Sequence, residues 1–196
     1  WQHPLTYGAS ARIDSVLALF PSFIAPALQE KKVEPFLPEW FSSPKMQTLT
    51  SNLVSNADVI AVLKRTRYVF PLPHHSLSKL YPDYISQLTL LITELNEQQP
   101  GLCTIKLHPR STIKDFPELS GIPHLPAALP FELFLSFFSP DIQIFGDLSS
   151  TLHTARWILP NAKLTALNPN PEKPHVMQKL YDALNIKVTA IPDLKL

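Results

Sequence analysis

The segment Lys106-Leu107-His108-Pro109-Arg110 places an ammonium, an imidazole and a guanidinium within five consecutive positions. Groups of this kind, gathered this closely, suit an oxyanion, which accepts charge-assisted hydrogen bonds from each of them. Pro109 disfavours helical geometry at His108 and so fixes a turn there. About forty positions later, Ser149-Ser150 precedes a run with helical apolar spacing. The free N–H groups and positive dipole end of a helix start favour an anion by about 0.3 to 1 kcal/mol. Each group also has a plainer reading. His108 could cap a strand end, the serines could simply N-cap the helix, and Glu132 could complement a helix dipole.

These side chains converge only if the elements beneath them end on one side. A β-type run over 102–107 delivers His108, and an earlier one over 67–70 ends in a Pro-His-His loop. Between them, Ile85, Leu88, Leu91, Ile92 and Leu95 mark a helix over 83–98, closed by Pro100-Gly101. A helix over 129–138 opens at Leu129-Pro130-Phe131-Glu132 and is stopped by Ser139-Pro140. Strands follow over 142–145, 163–167 and 186–190, with helices from the serine pair to about 159 and over 174–184. From about residue 68 this alternation is the pattern of an α/β fold with a parallel sheet, whose strand C-terminal ends carry ligand groups. Before it, Ile13, Val16, Leu17 and Phe20 have helical spacing and prolines crowd 35–44, so residues 1–65 read as helical and irregular.

Composition prunes the chemistry. At 196 residues and 45% hydrophobic the chain can bury a sizeable core, and a formal charge of +1 supplies no global basic field for nucleic acid. Anion binding must therefore be local. The single cysteine, Cys103, excludes an internal disulfide and sits in an apolar run, as a buried thiol does. No run approaches the roughly 20 apolar residues of a spanning helix, and the first residues do not resemble a signal peptide, so nothing is expected to export or anchor the chain. G-x-S-x-G, Walker A, C-x-x-C and H-E-x-x-H patterns are all missing. His74-His75 makes a poor metal pair, since neighbours on a strand point to opposite sides and no acid or cysteine stands at ligand spacing. Their loop would open onto the same cleft as His108, offering His74 as a contact. The basic run Lys64-Arg65-Thr66-Arg67 reads as a solvated strand entrance that could add positive potential to that cleft.

Taken in order, Lys106-Leu107-His108-Pro109-Arg110, Pro130-Phe131-Glu132 and Phe145-Gly146-Asp147-Leu148-Ser149-Ser150-Thr151-Leu152 resemble the motifs of bacterial CMP-sialic acid-dependent sialyltransferases, including those that build lipooligosaccharide caps and polysialic acid capsules. The resemblance covers roughly residues 68–167. It implies the C-terminal, donor-binding half of a GT-B-type glycosyltransferase over 66–196, a Rossmann-like parallel sheet with helices on both faces. Residues 1–65 would be a remnant of the acceptor domain or a helical lead-in. In that family's terms His108 hydrogen-bonds the donor phosphate and supports the leaving CMP, accompanied by Lys106, Pro109 and Arg110. Ser149 and Ser150 bind the same phosphate, and Glu132 contacts the ribose hydroxyls or nearby donor groups. The implied reaction is an inverting transfer of sialic acid, or a related keto sugar acid, from a CMP-sugar donor to a glycan or glycolipid acceptor. It needs no metal or other cofactor and no nucleic-acid partner. The implied place is the cytoplasm, with peripheral contact at the inner membrane left open.

Kdo transferases and CDP-polyol polymerases carry related motifs, so the cytidine nucleotide is common to these alternatives while the transferred group is not. The chain departs from the family where an Asp/Glu-Asp/Glu-Gly motif supplies the general base. Thr6 and Tyr7 stand before Gly8 in place of the two acids, leaving Asp14 as the fallback base. That departure keeps open a non-catalytic nucleotide-sugar-binding or assembly module.

Overall fold

The computed structural model describes residues 8–54, 57–172 and 177–194. The chain divides into two compact units, Trp1–Trp40 and Phe41–Leu196. In the smaller one, β1 (Ser15–Ala18) pairs in parallel with β2 (Lys32–Pro35), in register Ser15↔Lys32. The helical spacing of Ile13, Val16, Leu17 and Phe20 is therefore overruled. Exposure alternates along β1 with a period of two, leaving Leu17 outward, and 3₁₀ turns beginning at Pro21 and Pro26 interrupt any helix that might continue. Gly8 has φ +87, and a Cβ there would meet the Val16 side chain at 3.2 Å, so glycine is required on two counts.

The expected division near residue 65 falls instead between Trp40 and Phe41, within the short helix α1 (Glu39–Ser42). Helices α2 (Pro44–Leu53) and α3 (Ala57–Arg65) belong to the larger unit. Helix α2 starts cleanly because Pro44 is preset for the first turn and the Ser43 hydroxyl accepts from the Met46 N–H at 3.3 Å.

The rest of the larger unit is α/β. In chain order come β3 (Tyr68–Pro71), α4 (Pro82–Gln98), β4 (Cys103–Lys106), β5 (His124–Leu125), α5 (Glu132–Leu135) and β6 (Gln143–Gly146). They are followed by α6 (Ser150–Ile158), β7 (Lys163–Leu167), α7 (Gln178–Ala183) and β8 (Lys187–Thr189). The six strands form one parallel sheet in the order β5-β4-β3-β6-β7-β8. This is a Rossmann-like α/β fold, with the chain advancing to one side from β3 and to the other from β6. Two elements differ from expectation. Strand β5 is two residues long between Pro123 and Pro126, too short for periodicity to reveal, and α5 is a single turn rather than a helix over 129–138.

Helices cover both faces. Tyr84, Leu88, Ile92 and Leu95 of α4 share one buried cluster with Phe70, Ile105, Phe145 and Leu167. Val69, Ile144 and Ala166, of opposite parity, point the other way. On that side α6 approaches so closely that a Cβ on Gly146 would lie 3.3 Å from Leu152. Cys103 is fully buried, as its apolar run suggested, and burial pushes its thiol up to about 11. Among the described residues, no helix is long and apolar enough to cross a membrane.

The ladder between β3 and β6 ends at Val69↔Ile144, whereas that between β3 and β4 continues to Pro71↔Lys106. Beyond the last β3–β6 pair the rings of Phe70 and Phe145 stack with centroids 5.2 Å apart. Phe70→Ala should therefore cost about 3 to 5 kcal/mol, measured by urea denaturation. A loss below about 1 kcal/mol, the size of a tolerated surface or isosteric change, would refute a central role for the stack.

Candidate functional site

Three strand ends meet where the sheet order reverses. After β3, Pro71-Leu72-Pro73 brings His74 to the edge of the crevice, and its Nδ1 accepts from the Ser76 N–H at 3.3 Å with the Ser76 hydroxyl 2.7 Å away. After β4, the His108 carbonyl accepts from the Ser111 N–H at 2.9 Å, closing a tight turn. Within that turn His108 Nδ1 accepts from the Arg110 N–H at 3.1 Å. With Nδ1 accepting, the neutral ring carries its proton on Nε2, so His108 presents an N–H donor to the crevice. The two imidazoles stand edge to face with centroids 5.0 Å apart.

Both rings are held below the ordinary histidine range. For His108 the largest cause is burial, followed by the neighbouring His74 and Arg110, while Asp147 pulls the other way. For His74 burial again leads, followed by His75 and Arg110, with Asp115 opposing. At neutral pH the site therefore offers uncharged donors.

After β6, Gly146-Asp147-Leu148 leads into α6 with Ser149 at the N-cap. The Ser149 backbone is extended, as a cap requires, yet its side chain accepts no capping bond from the helix. The Ser149 N–H donates to the Asp147 carbonyl at 2.8 Å, and the hydroxyl is near enough to the Asp147 carboxyl to favour its ionised form. Capping is thus not what the Ser149 side chain does, and the first N–H groups of α6 keep their donor capacity. His74, His108, Asp147, Ser149, Ser150 and Thr151 line one cavity of about 420 Å³. An adjoining cavity of about 320 Å³ is lined by Lys106, Pro109, Pro130, Phe131 and Glu132. Pro71, Leu72, His108 and Thr151 form walls of both, so His108 stands where they meet.

The other candidates lie differently from the simple picture of a converging cationic motif. Lys106 is only 5% exposed, and its ammonium donates to the Leu107 carbonyl at 2.7 Å and the Ala127 carbonyl at 3.1 Å. Those bonds tie the end of β4 to the loop before α5, so the lysine reaches the second cavity as a structural cation. Arg110 is exposed and lines neither cavity. Asp14 is an exposed residue of the smaller unit whose carbonyl accepts from the Lys32 N–H. Thr6 and Tyr7 lie outside the described residues. Arg67 pairs with Asp141 at the opposite end of the sheet, which takes this part of the basic run away from the crevice.

Sequence reasoning assigned no role to Asp147, and His74 entered only as a contact. The signal for Asp147 was its place directly after Gly146 at a strand end. Its carboxyl is held above the usual range chiefly by burial, while the Ser149 hydroxyl and His108 oppose that shift. The phenols of Tyr84 and Tyr181, raised first by burial, are raised further by this carboxylate.

Among the described residues, no group of three or more His, Cys, Asp or Glu side chains is arranged to hold a metal ion. His75 Nδ1 lies 3.8 Å from Asp115, an acid that sequence spacing did not bring to it. A larger cavity of about 830 Å³ runs along the starts of β6, β7 and β8, past Gln143, Lys163 and Lys187. Its guanidinium, Arg156, is occupied by the carbonyls of Pro160, Ala162 and Asn185. Donors converge at the strand C-terminal ends instead. Comparison with protein-family models and with curated proteins finds no match to this sequence.

Burial lowers the Lys106 ammonium to about 8, with Glu132 opposing. Between that pH and the ordinary lysine value of about 10.4 the unfolded chain binds a proton that the folded one has released, so this group adds stability as pH rises. Cys103 and the two tyrosines, whose folded values are raised, act in the opposite sense. Urea denaturation at several pH values should therefore show wild type gaining on Lys106→Met from pH 8 upward. A difference independent of pH would show that the ammonium is solvated.

Proposed function

We propose that the protein is a glycosyltransferase that takes sialic acid, or a related keto sugar acid, from a CMP-activated donor. The acceptor would be a glycan or glycolipid of a bacterial surface polysaccharide, met in the cytoplasm or at the inner face of the membrane. The observation that carries this reading is His108, which lines both cavities and is pinned through Nδ1, leaving Nε2 to carry the proton. One cavity has Ser149 and Ser150 on its wall for a phosphate, and the other has Glu132 on its wall for ribose hydroxyls.

In such a transfer the bond between the anomeric carbon and the phosphate oxygen breaks, and its electron pair leaves with CMP. Fixed donors around the phosphate stabilise that developing charge without having to reorganise. His108 Nε2–H, the Ser149 and Ser150 hydroxyls and the first N–H groups of α6 would supply them. The acceptor hydroxyl must lose its proton to a base, and the chain has Thr6 and Tyr7 where the resembling family has acids. This substitution favours a second reading, a module that binds the nucleotide without turnover.

Titration calorimetry with CMP, CDP and UMP tests the assignment. CMP should bind, and His108→Ala should weaken it about 10-fold to 100-fold, the loss of one hydrogen bond to a charged group. Absence of binding, or affinity indifferent to His108→Ala and to Ser149→Ala/Ser150→Ala, would overturn the reading. Release of CMP from CMP-sialic acid with a glycan acceptor separates the two readings, and turnover from CDP-polyol or CMP-Kdo instead would redirect the donor.

A further inference from the structure

The cavity assigned to the phosphate contains, besides its donors, the carboxylate of Asp147. Two anions cannot share so small a space without a proton or a cation between them. Among the described residues no cation fills that role. The side-chain ion pairs among the described residues are Lys32–Glu34, Arg67–Asp141 and His75–Asp115, none of which includes Asp147. Lys106 spends its ammonium on two carbonyls, and Arg110 lines neither cavity.

The groups facing Asp147 are instead neutral. Tyr84 comes from α4 and Tyr181 from α7, both with phenols made harder to ionise, and Tyr181 donates to the Ser149 carbonyl at 3.1 Å. His108 and His74 come from the ends of β4 and β3, with Ser149 on the same turn. Each imidazole is held below its ordinary range, so neither is disposed to become the missing cation.

We propose that Asp147 is a ligand-binding residue of this site, which engages the phosphate as a carboxylic acid and gives its O–H as a donor beside His108, Ser149 and Ser150. The proposal rests on the reading of the cavity as an anion site. Its chemistry balances simply: one proton from solvent is taken up by a carboxylate oxygen as the anion enters and is returned as it leaves. The direction in which burial moves the carboxyl agrees, since it eases protonation before any ligand arrives. Linkage then fixes the pH dependence. Above the pH at which the free carboxyl ionises, each further pH unit should weaken binding up to tenfold, because one proton must be bound with the ligand.

Calorimetry of CMP, and separately of inorganic phosphate, in two buffers of different ionisation enthalpy at about pH 8 counts that proton, and above about pH 7 the phosphate monoester itself no longer titrates appreciably. Wild type should take up close to one proton per CMP bound. Asp147→Asn, which keeps the shape and offers an N–H in place of the O–H, should take up almost none. It should bind at least as tightly as wild type at pH 8, with affinity flat in pH. Lack of proton uptake by wild type overturns the proposal without reference to any variant. So does uptake that persists in Asp147→Asn and disappears in His108→Gln or His74→Gln, which would assign the proton to an imidazole. CMP bound without a proton removes this inference and leaves the proposed function standing. Inorganic phosphate bound with Asp147-dependent uptake, while CMP does not bind, does the reverse. Failure of both ligands to bind removes both.

Discussion

The pairing of β3 with β6 is the constraint on which the site depends. These two strands are 75 positions apart between Tyr68 and Gln143, yet they form the centre of the sheet, and every later strand is added outward from one or the other. Their ladder ends two residues before Pro71, which has no N–H with which to extend it. From there β3 stays with β4, the Leu72 N–H donating to the Lys106 carbonyl at 2.8 Å. The strands therefore part just beyond Phe70 and Phe145, whose stacked rings lie in the buried core. A parallel sheet directs all its strand C-terminal ends to one side, so His74, His108 and Asp147 share the crevice as a consequence of topology.

The resulting donor set differs in kind from what the sequence motif suggests. Three cations or near-cations in five residues suggest a charged cradle, but the fold sorts them by geometry. Lys106 points into the protein because its strand position has the parity of Thr104 and Val69, the face covered by α6. Once inside, its ammonium must find acceptors, and the Leu107 and Ala127 carbonyls supply them. Arg110 lies beyond the turn and stays in solvent. What remains at the crevice is an imidazole whose tautomer is set by a backbone N–H, a second imidazole set in the same way, two hydroxyls and a helix start.

Legibility in the sequence followed the length and burial of each element. Strand β7 and helix α4 could be read because Leu164 to Leu167 is a continuous buried run and Leu88, Ile92 and Leu95 recur at helical spacing. Strand β1 was misread because four residues cannot separate a period of two from one of 3.6, and the nearby Ile13 and Phe20 completed a false helical stripe. Strand β5 escaped because a two-residue pairing exists only through its partner, Ile105↔His124 and Lys106↔Leu125. In the site, His108 and the serines were legible as local motifs. That the His74 loop opens onto the cleft of His108 was legible too, but the edge-to-face contact of the two rings was not, since it depends on which strands are neighbours. Asp147 was hidden for another reason: an acid after a glycine at a strand end is ordinary turn chemistry until the fold shows it lining the same cavity as His108 and Ser149.

A site built from neutral donors and one carboxylate discriminates between anions by their charge. A phosphodiester carries one negative charge near neutral pH, whereas a terminal phosphate monoester carries nearly two. Uncharged N–H and O–H groups stabilise the first without a counter-ion, but the second brings more charge into a space whose own acid is already reluctant to ionise. On the proposed reading the donor sugar nucleotide is the diester and the departing CMP is the monoester. The arrangement around His108, Asp147 and Ser149 would then hold the donor through directed hydrogen bonds and bind the product less firmly as its second charge develops. A cradle of lysines and arginines would do the opposite, retaining the dianion most strongly. On that reading, the withdrawal of Lys106 into the sheet and of Arg110 into solvent is the structural difference between a site that would keep a phosphate and one that would let it go.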